Sequence, residues 1–296
     1  APSPVRRWKS ERIVGLHEPQ VKEDHLAASG LSDDRRLRLL SFNIQVGNST
    51  QSYRHYLTRS WQHVLPHKGR TGNLDKIGDL LSDFDLVALQ EADGGSHRSG
   101  YINQVKYLAQ QGEFPYWYQQ LNRNLGRLAQ HSNGVLSRLR PTAIEDHPLP
   151  GPAGRGAILV RFGEGADALV VVMMHLALGA KTRTLQLAYV RELIGGYQHQ
   201  VLMGDMNTHA SDLLQTSPLR DLGLLAPQMQ ATFPSWRPQR CLDHILLSPS
   251  LTLERVQVLD QPISDHLPVA VEIRLPGSIG GDSLPVLSPS ASEPLA

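Results

Sequence analysis

Asp205 and Asn207 stand two positions apart in Val201-Leu202-Met203-Gly204-Asp205-Met206-Asn207-Thr208-His209, where an apolar run breaks on a glycine. Such a run reads as a buried strand ending at a site. Period-two geometry would keep the carboxylate and the amide on one side of that strand, both facing one ligand. A strand followed by an Asx turn explains the same residues equally well. Other apolar runs also end in polar groups: Asn43 after Leu39-Leu40-Ser41-Phe42, Glu91 after Leu86-Val87-Ala88-Leu89-Gln90, and His175 after Val170 to Met174. Asp243, and Asp265 with His266, flank two further runs. Each has an ordinary explanation, Glu91 as a salt-bridged edge residue, His175 as a satisfied core histidine, Asp243 as a turn residue. Their recurrence points instead to one sheet edge, where layered α/β proteins collect their functional groups.

The residue types agree on a chemistry. Glu91, Asp265 and Asn43 supply hard oxygen ligands suited to Mg²⁺ or Mn²⁺. A histidine paired with an aspartate is oriented and more readily protonated, so it can stabilise or protonate a phosphate oxygen. The chain has no Gly-x-Ser-x-Gly elbow, Walker loop, His-Glu-x-x-His or dinucleotide fingerprint.

The elements that must position these groups alternate between short apolar strands and helices. Arg36 to Ile44 reads as the first strand entering a core, and Asn73 is placed to cap a helix through Leu81 with Leu74, Ile77, Leu80 and Leu81 on one face. Asp85 to Glu91 reads as a strand, Ile102 to Gln111 as a helix, and His131 to Arg138 as a turn feeding a strand. Gly156 to Phe162 and Ala168 to Met174 form two strands around Gly163-Glu164-Gly165. Thr182 to Ile194 is an amphipathic helix closed by Gly195-Gly196. Val201 to Gly204, Leu242 to Leu247 and Leu267 to Ile273 are the remaining strands. Residues 1–35 read as an extended arm, 36–275 as one domain, and 276–296, rich in Ser, Pro and Gly, as a flexible tail. The loops 45–72 and 208–240 would shape the pocket, with Trp61, Trp117 and Trp236 as candidate lining.

The 296 residues carry 29 basic against 28 acidic side chains, a net charge of +1, which does not favour a protein that coats nucleic acid through its phosphates. The single cysteine, Cys241, excludes an intrachain disulfide and a thiolate-cluster zinc site. No apolar run approaches the length needed to span a bilayer, and the first residues lack the apolar core of a signal peptide, so a cytoplasmic monomer is the expectation.

The ordered motifs Ser41-Phe42-Asn43, Leu89-Gln90-Glu91, Met174-His175-Leu176, Gly204-Asp205-Met206-Asn207, Leu242-Asp243-His244-Ile245-Leu246 and Ser264-Asp265-His266-Leu267-Pro268 resemble the endonuclease/exonuclease/phosphatase superfamily. That superfamily includes deoxyribonucleases, abasic-site endonucleases, inositol polyphosphate phosphatases and neutral sphingomyelinases. The resemblance covers about residues 36 to 275. It implies an α/β fold, a four-layer α/β/β/α sandwich of two mostly antiparallel sheets flanked by helices, and metal-dependent hydrolysis of phosphoesters.

The resemblance also implies roles. Glu91 is the chief metal ligand with Asn43 and Asp265 nearby, and the cofactor is Mg²⁺ or Mn²⁺. Asp205 positions or deprotonates the attacking water, and Asn207 holds a phosphate oxygen. His266, oriented by Asp243, stabilises the transition state or assists the leaving group, with His175 on the other side. A bacterial subgroup shares Glu91-Ala92-Asp93-Gly94-Gly95-Ser96, His131-Ser132-Asn133-Gly134 and His175-Leu176-Ala177-Leu178-Gly179, which adds Asn133 as a residue reaching into the site and Arg183 as support for the phosphate, a surface salt bridge being the other reading of Arg183. Abasic-site enzymes usually differ at the position of His175, where this chain is more similar to deoxyribonucleases and sphingomyelinases. The expected activity is a metal-dependent phosphodiesterase acting on a phospholipid headgroup or small phosphodiester. A nuclease acting on DNA or RNA is the alternative, and a noncatalytic binding protein on the same fold the third reading.

Overall fold

The computed structural model of the protein describes residues 35–44, 68–94, 103–124, 130–277 and 279. Among these, the strands are β1 (Arg36–Asn43), β2 (Leu86–Asp93), β3 (Tyr116–Asn124), β4 (Gln130–Ser137), β5 (Ala143–Pro148), β6 (Gly156–Phe162), β7 (Leu169–His175), β8 (His199–Asp205), β9 (Asp243–Leu247), β10 (Thr252–Val258) and β11 (Val269–Arg274). The helices are α1 (Lys68–Leu81), α2 (Gln104–Gln111) and α3 (Ala180–Ile194), with a single π turn at Asp212–Thr216 and a 3₁₀ turn at Arg220–Leu222.

One sheet has the order β10-β11-β1-β2-β4-β3 and the other β5-β6-β7-β8-β9. Only β1 with β2 and β7 with β8 run parallel; the other pairs are antiparallel. Alternation along the strands sorts the apolar side chains into three layers. Leu37, Leu39, Val269, Val271, Val171, Met173, Val201, Met203 and Ile245 fill the space between the sheets. Leu40, Phe42, Val87 and Leu89 face outward onto Leu74, Ile77 and Leu81 of α1 and Val105 and Leu108 of α2. Val170, Val172, Leu202 and Leu246 face outward onto Leu187, Val190 and Ile194 of α3. The result is the expected four-layer α/β/β/α sandwich.

Several elements differ from the sequence expectations. Helix α1 begins at Lys68, so Asn73 is an exposed interior residue rather than a cap. The helix runs through Gly69 and Gly72, whose penalty of about 1 kcal/mol each is what made a later start attractive. The segment from His131 is already strand, paired on both sides, not a turn feeding one. Helix α2 is capped by the Asn103 side chain, which accepts from the Lys106 N–H. Arg35 donates from Nη2 to the carbonyls of Pro276 and Ile279, and Ile279 is buried in the inter-sheet core. The arm up to residue 34, most of the 45–72 loop with Trp61, and the tail from 280 lie outside the described residues. No helix among the described residues is long and apolar enough to cross a membrane.

Candidate functional site

The pairing scheme brings the chemistry-bearing groups to one edge of both sheets. β1 and β2 run together, as do β7 and β8, so Asn43, Glu91, His175 and Asp205 emerge at C-terminal ends on the same side. β9 is antiparallel to β8 and β11 to β1, so Asp243, at the start of β9, and Asp265-His266, just before β11, meet them there. Asp243 thus opens a strand.

Local backbone aims the side chains. Glu91 has φ 57° and lies in a register shift between Leu89 and Ala92, a bulge that turns its carboxylate out of the ladder. Gly204 has φ 143°, and a Cβ there would come 1.9 Å from the Met174 carbonyl oxygen, so only glycine lets β8 press against β7 just before Asp205. Asn207 has φ 52°, and its N–H donates to Asp205 Oδ1 at 3.0 Å. An Asx-type turn and a clustered pair of polar groups therefore coexist. The two side chains are joined through the turn rather than through an extended strand. Asn207 Nδ2 donates to the Leu176 carbonyl at 2.8 Å.

Asp205 is the hub. Its Oδ2 accepts from Asn43 Nδ2 at 3.2 Å and lies 3.5 Å from His175 Nε2 and 4.0 Å from His266 Nε2. His175 Nε2 is also 3.6 Å from Glu91 Oε1. His266 Nδ1 donates to Asp243 Oδ2 at 2.8 Å, and the same oxygen accepts from Thr232 Oγ1 at 2.5 Å. Phe233 lies against the His266 ring, centroids 4.8 Å apart. Ser264 Oγ bridges the Asn43 carbonyl and Asp265 Oδ1, which ties the last ligand candidate to the first.

Burial and mutual charge set the protonation states. Burial, then the charge of Asp243, push Asp205 up to about 7, against the pull of His266 and the Asn207 N–H. Burial works against protonation of His266, but Asp243, by charge and hydrogen bond, together with Asp205 and Asp265, outweighs it and pushes the imidazole up to about 10. His175 is held well below the usual histidine range by burial, then Arg155, His266 and His131, and so is neutral. Glu91 and Asp265 are both raised, chiefly by burial; Arg155 works against the rise at Glu91 and Asp265 adds to it, while His266 opposes the rise at Asp265.

The remaining expectations fall around this cluster. Asn133 is buried beside it: Nδ2 donates to Gln120 Oε1 at 3.1 Å and to the Gly156 carbonyl at 3.4 Å, and Gly156 pairs with His175. Its Oδ1 is buried without a partner among the described residues. Arg183, in the first turn of α3, donates to the carbonyls of Ala177 and Leu178 and so braces the loop after His175. Trp117 is buried under α2, and Trp236 is exposed on the loop that carries Phe233.

Arg155 was missed. It precedes β6, and its Nη1 lies 2.7 Å from His175 Nδ1. The signal was a lone arginine between Gly154 and Gly156 at a strand start, which no motif marks. Thr232 and Phe233 were missed because they sit in a loop without periodicity.

A model of the Endonuclease/Exonuclease/phosphatase family matches residues 40–266. The chain belongs to that family. Its fold recurs in the endonuclease/exonuclease/phosphatase of Beutenbergia cavernae DSM 12333, at 20% identity and TM-score 0.62, covering 82% of this chain and 72% of that one. A mannosyl-6-phosphatase of Bacteroides thetaiotaomicron shares it at 18% identity and TM-score 0.57, covering 80% and 99%. D. rerio TDP2 complexed with single strand DNA product does so at 15% identity and TM-score 0.59, covering 81% and 100%. At these identities the likeness is one of fold. No curated protein matches the sequence closely enough to add a relative.

Proposed function

We propose that this member of a phosphoester-hydrolase family is a divalent-metal-dependent phosphodiesterase that acts by activated-water attack on a phospholipid headgroup or another small phosphodiester. The observation that carries the reading is Asp205. It is a buried carboxylate poised near neutrality, flanked by a neutral histidine on one side and a histidine charged by its own aspartate on the other.

The residues fit a hard cation. Glu91 and Asp265 are half-buried carboxylates, the charge of Asp265 raises Glu91 as that of Glu91 raises Asp205, and Asn43 adds an amide oxygen, the donor set that Mg²⁺ or Mn²⁺ prefers. Donor atoms of Asp205, Asp243 and His266 also lie within 4.8 Å of one another. We assign that trio to proton chemistry, because His266 Nδ1 and Asp243 Oδ2 are already spent on each other. A bound cation would polarise the phosphoryl oxygens and offset their charge.

The chain's own groups account for the rest. Asp205, which titrates near 7, takes the proton of the attacking water. Asn207 and the Arg155 guanidinium offer N–H donors to the phosphoryl oxygens, where charge builds as the water adds. His266 enters the reaction as an imidazolium, fixed in tautomer and orientation by Asp243, and protonates or stabilises the departing alkoxide. His175, neutral and pressed between Glu91, Asp205 and Arg155, orients both carboxylates. Asn133 Oδ1, a buried acceptor without a partner among the described residues, is available to a substrate hydroxyl or a water, and Arg183 supports the phosphate side indirectly, through the Ala177–Leu178 loop.

Nucleic acid is the second substrate reading; the near-zero net charge weighs against long duplexes but not against short strands. A panel of bis-p-nitrophenyl phosphate, p-nitrophenyl phosphate, plasmid and single-stranded DNA, and phospholipid vesicles, with Mg²⁺ or Mn²⁺, tests the reading. Diester without monoester turnover is the expected result. Monoester turnover alone makes the protein a phosphatase, and DNA cleavage that far exceeds the other rates makes it a nuclease.

A further inference from the structure

His244 follows Asp243 on β9 and, by strand alternation, lies on the opposite face of the sheet from it, away from the reacting groups. It is 1% exposed, and its Nε2 is 2.8 Å from the Thr208 carbonyl oxygen. A carbonyl can only accept, so Nε2 carries the proton in this bond. Nδ1 faces Cys241 Sγ at 3.9 Å. Gln228 completes the array, donating from Nε2 to the Asp243 carbonyl at 3.1 Å and exchanging weak contacts with the same sulfur.

This array meets the chain one residue beyond Asn207. The turn around Asn207 is strained, with φ at 52°, and is held on its other side by two hydrogen bonds, to Asp205 Oδ1 and to the Leu176 carbonyl. A non-glycine residue in the left-handed region persists only where its surroundings over-determine it. The Thr208 carbonyl, in a buried residue, would lose its side-chain partner if His244 were removed.

We propose that His244 is a positioning residue for phosphoester hydrolysis: through its hydrogen bond to the Thr208 carbonyl it holds Asn207 in the conformation that presents the amide to the phosphoryl oxygen. The proposal rests on the reading of Asn207 as a phosphate contact. A histidine that merely fills space would do as well with any side chain of similar volume.

The test compares His244→Gln, His244→Asn and His244→Leu, each alone and combined with Asn207→Ala, for kcat and KM on bis-p-nitrophenyl phosphate with Mn²⁺. Hydrogen exchange at the Asn207 amide is followed in parallel. A glutamine Nε2 reaches about as far as an imidazole Nε2, whereas an asparagine Nδ2 stops near Nδ1. His244→Gln is expected to keep kcat and amide protection close to wild type. His244→Asn and His244→Leu are expected to lose kcat by roughly 10- to 100-fold, as outer-shell substitutions do, with KM little changed and faster exchange. In the Asn207→Ala background the three substitutions should have no further effect on kcat. Equal losses for Gln and Asn, or a full loss in the Asn207→Ala background, would overturn the proposal. If His244→Leu does not fold, the Gln and Asn pair decides. If the wild type turns over no phosphoester, the reading of the site fails, and protection restored by Gln but not Asn would still establish the clamp on Asn207.

Discussion

Asp243→Asn keeps the shape of a buried side chain and removes one charge. Asp243 Oδ2 accepts from His266 Nδ1 and from Thr232 Oγ1, and Oδ1 has no partner among the described residues, so an amide can keep its oxygen toward His266 without its nitrogen displacing an existing hydrogen bond. What the variant loses is the charge assistance. A hydrogen bond to a charged group is worth about 1.5–3 kcal/mol, and about 1.4 kcal/mol corresponds to one pKa unit. His266, pushed up to about 10 mainly by Asp243 against its burial, should therefore fall by about one to two units. If the imidazolium is the working form, the falling limb of kcat/KM against pH moves from about 10 to between about 8 and 9. The loss of rate then grows with pH, from small at pH 7 to roughly two- to tenfold at pH 9 for a fall of one to two units, and it approaches about tenfold per unit only above the wild-type limb. The assay is the pH–rate profile on bis-p-nitrophenyl phosphate at saturating Mn²⁺. A limb that stays near 10, or a loss independent of pH, would refute the assignment of His266 as the charged partner.

Other outcomes follow from the same geometry. Asp205→Ala should lower kcat by several kcal/mol of barrier, roughly 10²- to 10³-fold or more, with the fold intact by circular dichroism; turnover near the wild-type rate would remove Asp205 from the mechanism. Gly204→Ala forces a Cβ to 1.9 Å from a backbone carbonyl oxygen at φ 143°, so soluble yield and melting temperature should fall sharply, and a variant that melts like wild type would show that β7 and β8 can part. Asp205 and His266 should make the metal-free protein lose stability as pH rises, whereas His175, held well below its ordinary value, works the other way below about 6.5. Folded Asp205 keeps its proton up to about 7, whereas unfolded aspartate releases it near about 4, so stability drops across that window. His266, raised above its unfolded value, contributes stability that is fully present below about 6.5 and is lost as pH climbs to about 10. Melting curves between about pH 7 and 9, where His175 is neutral whether folded or unfolded, check the sign, and a melting temperature that rises over that range would reverse it.

The edge that gathers the candidate site was legible because buried strands in this fold announce themselves. β2, β7, β8 and β9, and β1 from Leu39 onward, are buried on both faces, so their apolar runs stand out together with the polar residue at each boundary. Apart from β9, the strands on the outside of the sheets were not legible. β10 is an exposed edge strand whose register shift between Leu253 and Arg255 breaks alternation, and β5, the other sheet's edge, has one fully apolar partner in Ile144 among acids and a histidine. β3 carries Tyr116-Trp117-Tyr118, an aromatic run of strand type that its polar continuation Gln119-Gln120 obscured. Within the site, Glu91, Asp205 and His266 could be read from their motifs. Arg155, Thr232 and Phe233 could not, because contact with His175, Asp243 and His266 comes from chain folding and leaves no period or spacing.

The account depends on Glu91, Asn43 and Asp265, brought from three distant parts of the chain, forming one cation site beside Asp205. Calorimetric titration of Mn²⁺ into the wild type and Glu91→Gln tests this most directly. One binding site in the wild type, weakened by an order of magnitude or more in Glu91→Gln, is the predicted result. Equal affinity in the two proteins, or no binding by the wild type, would contradict it.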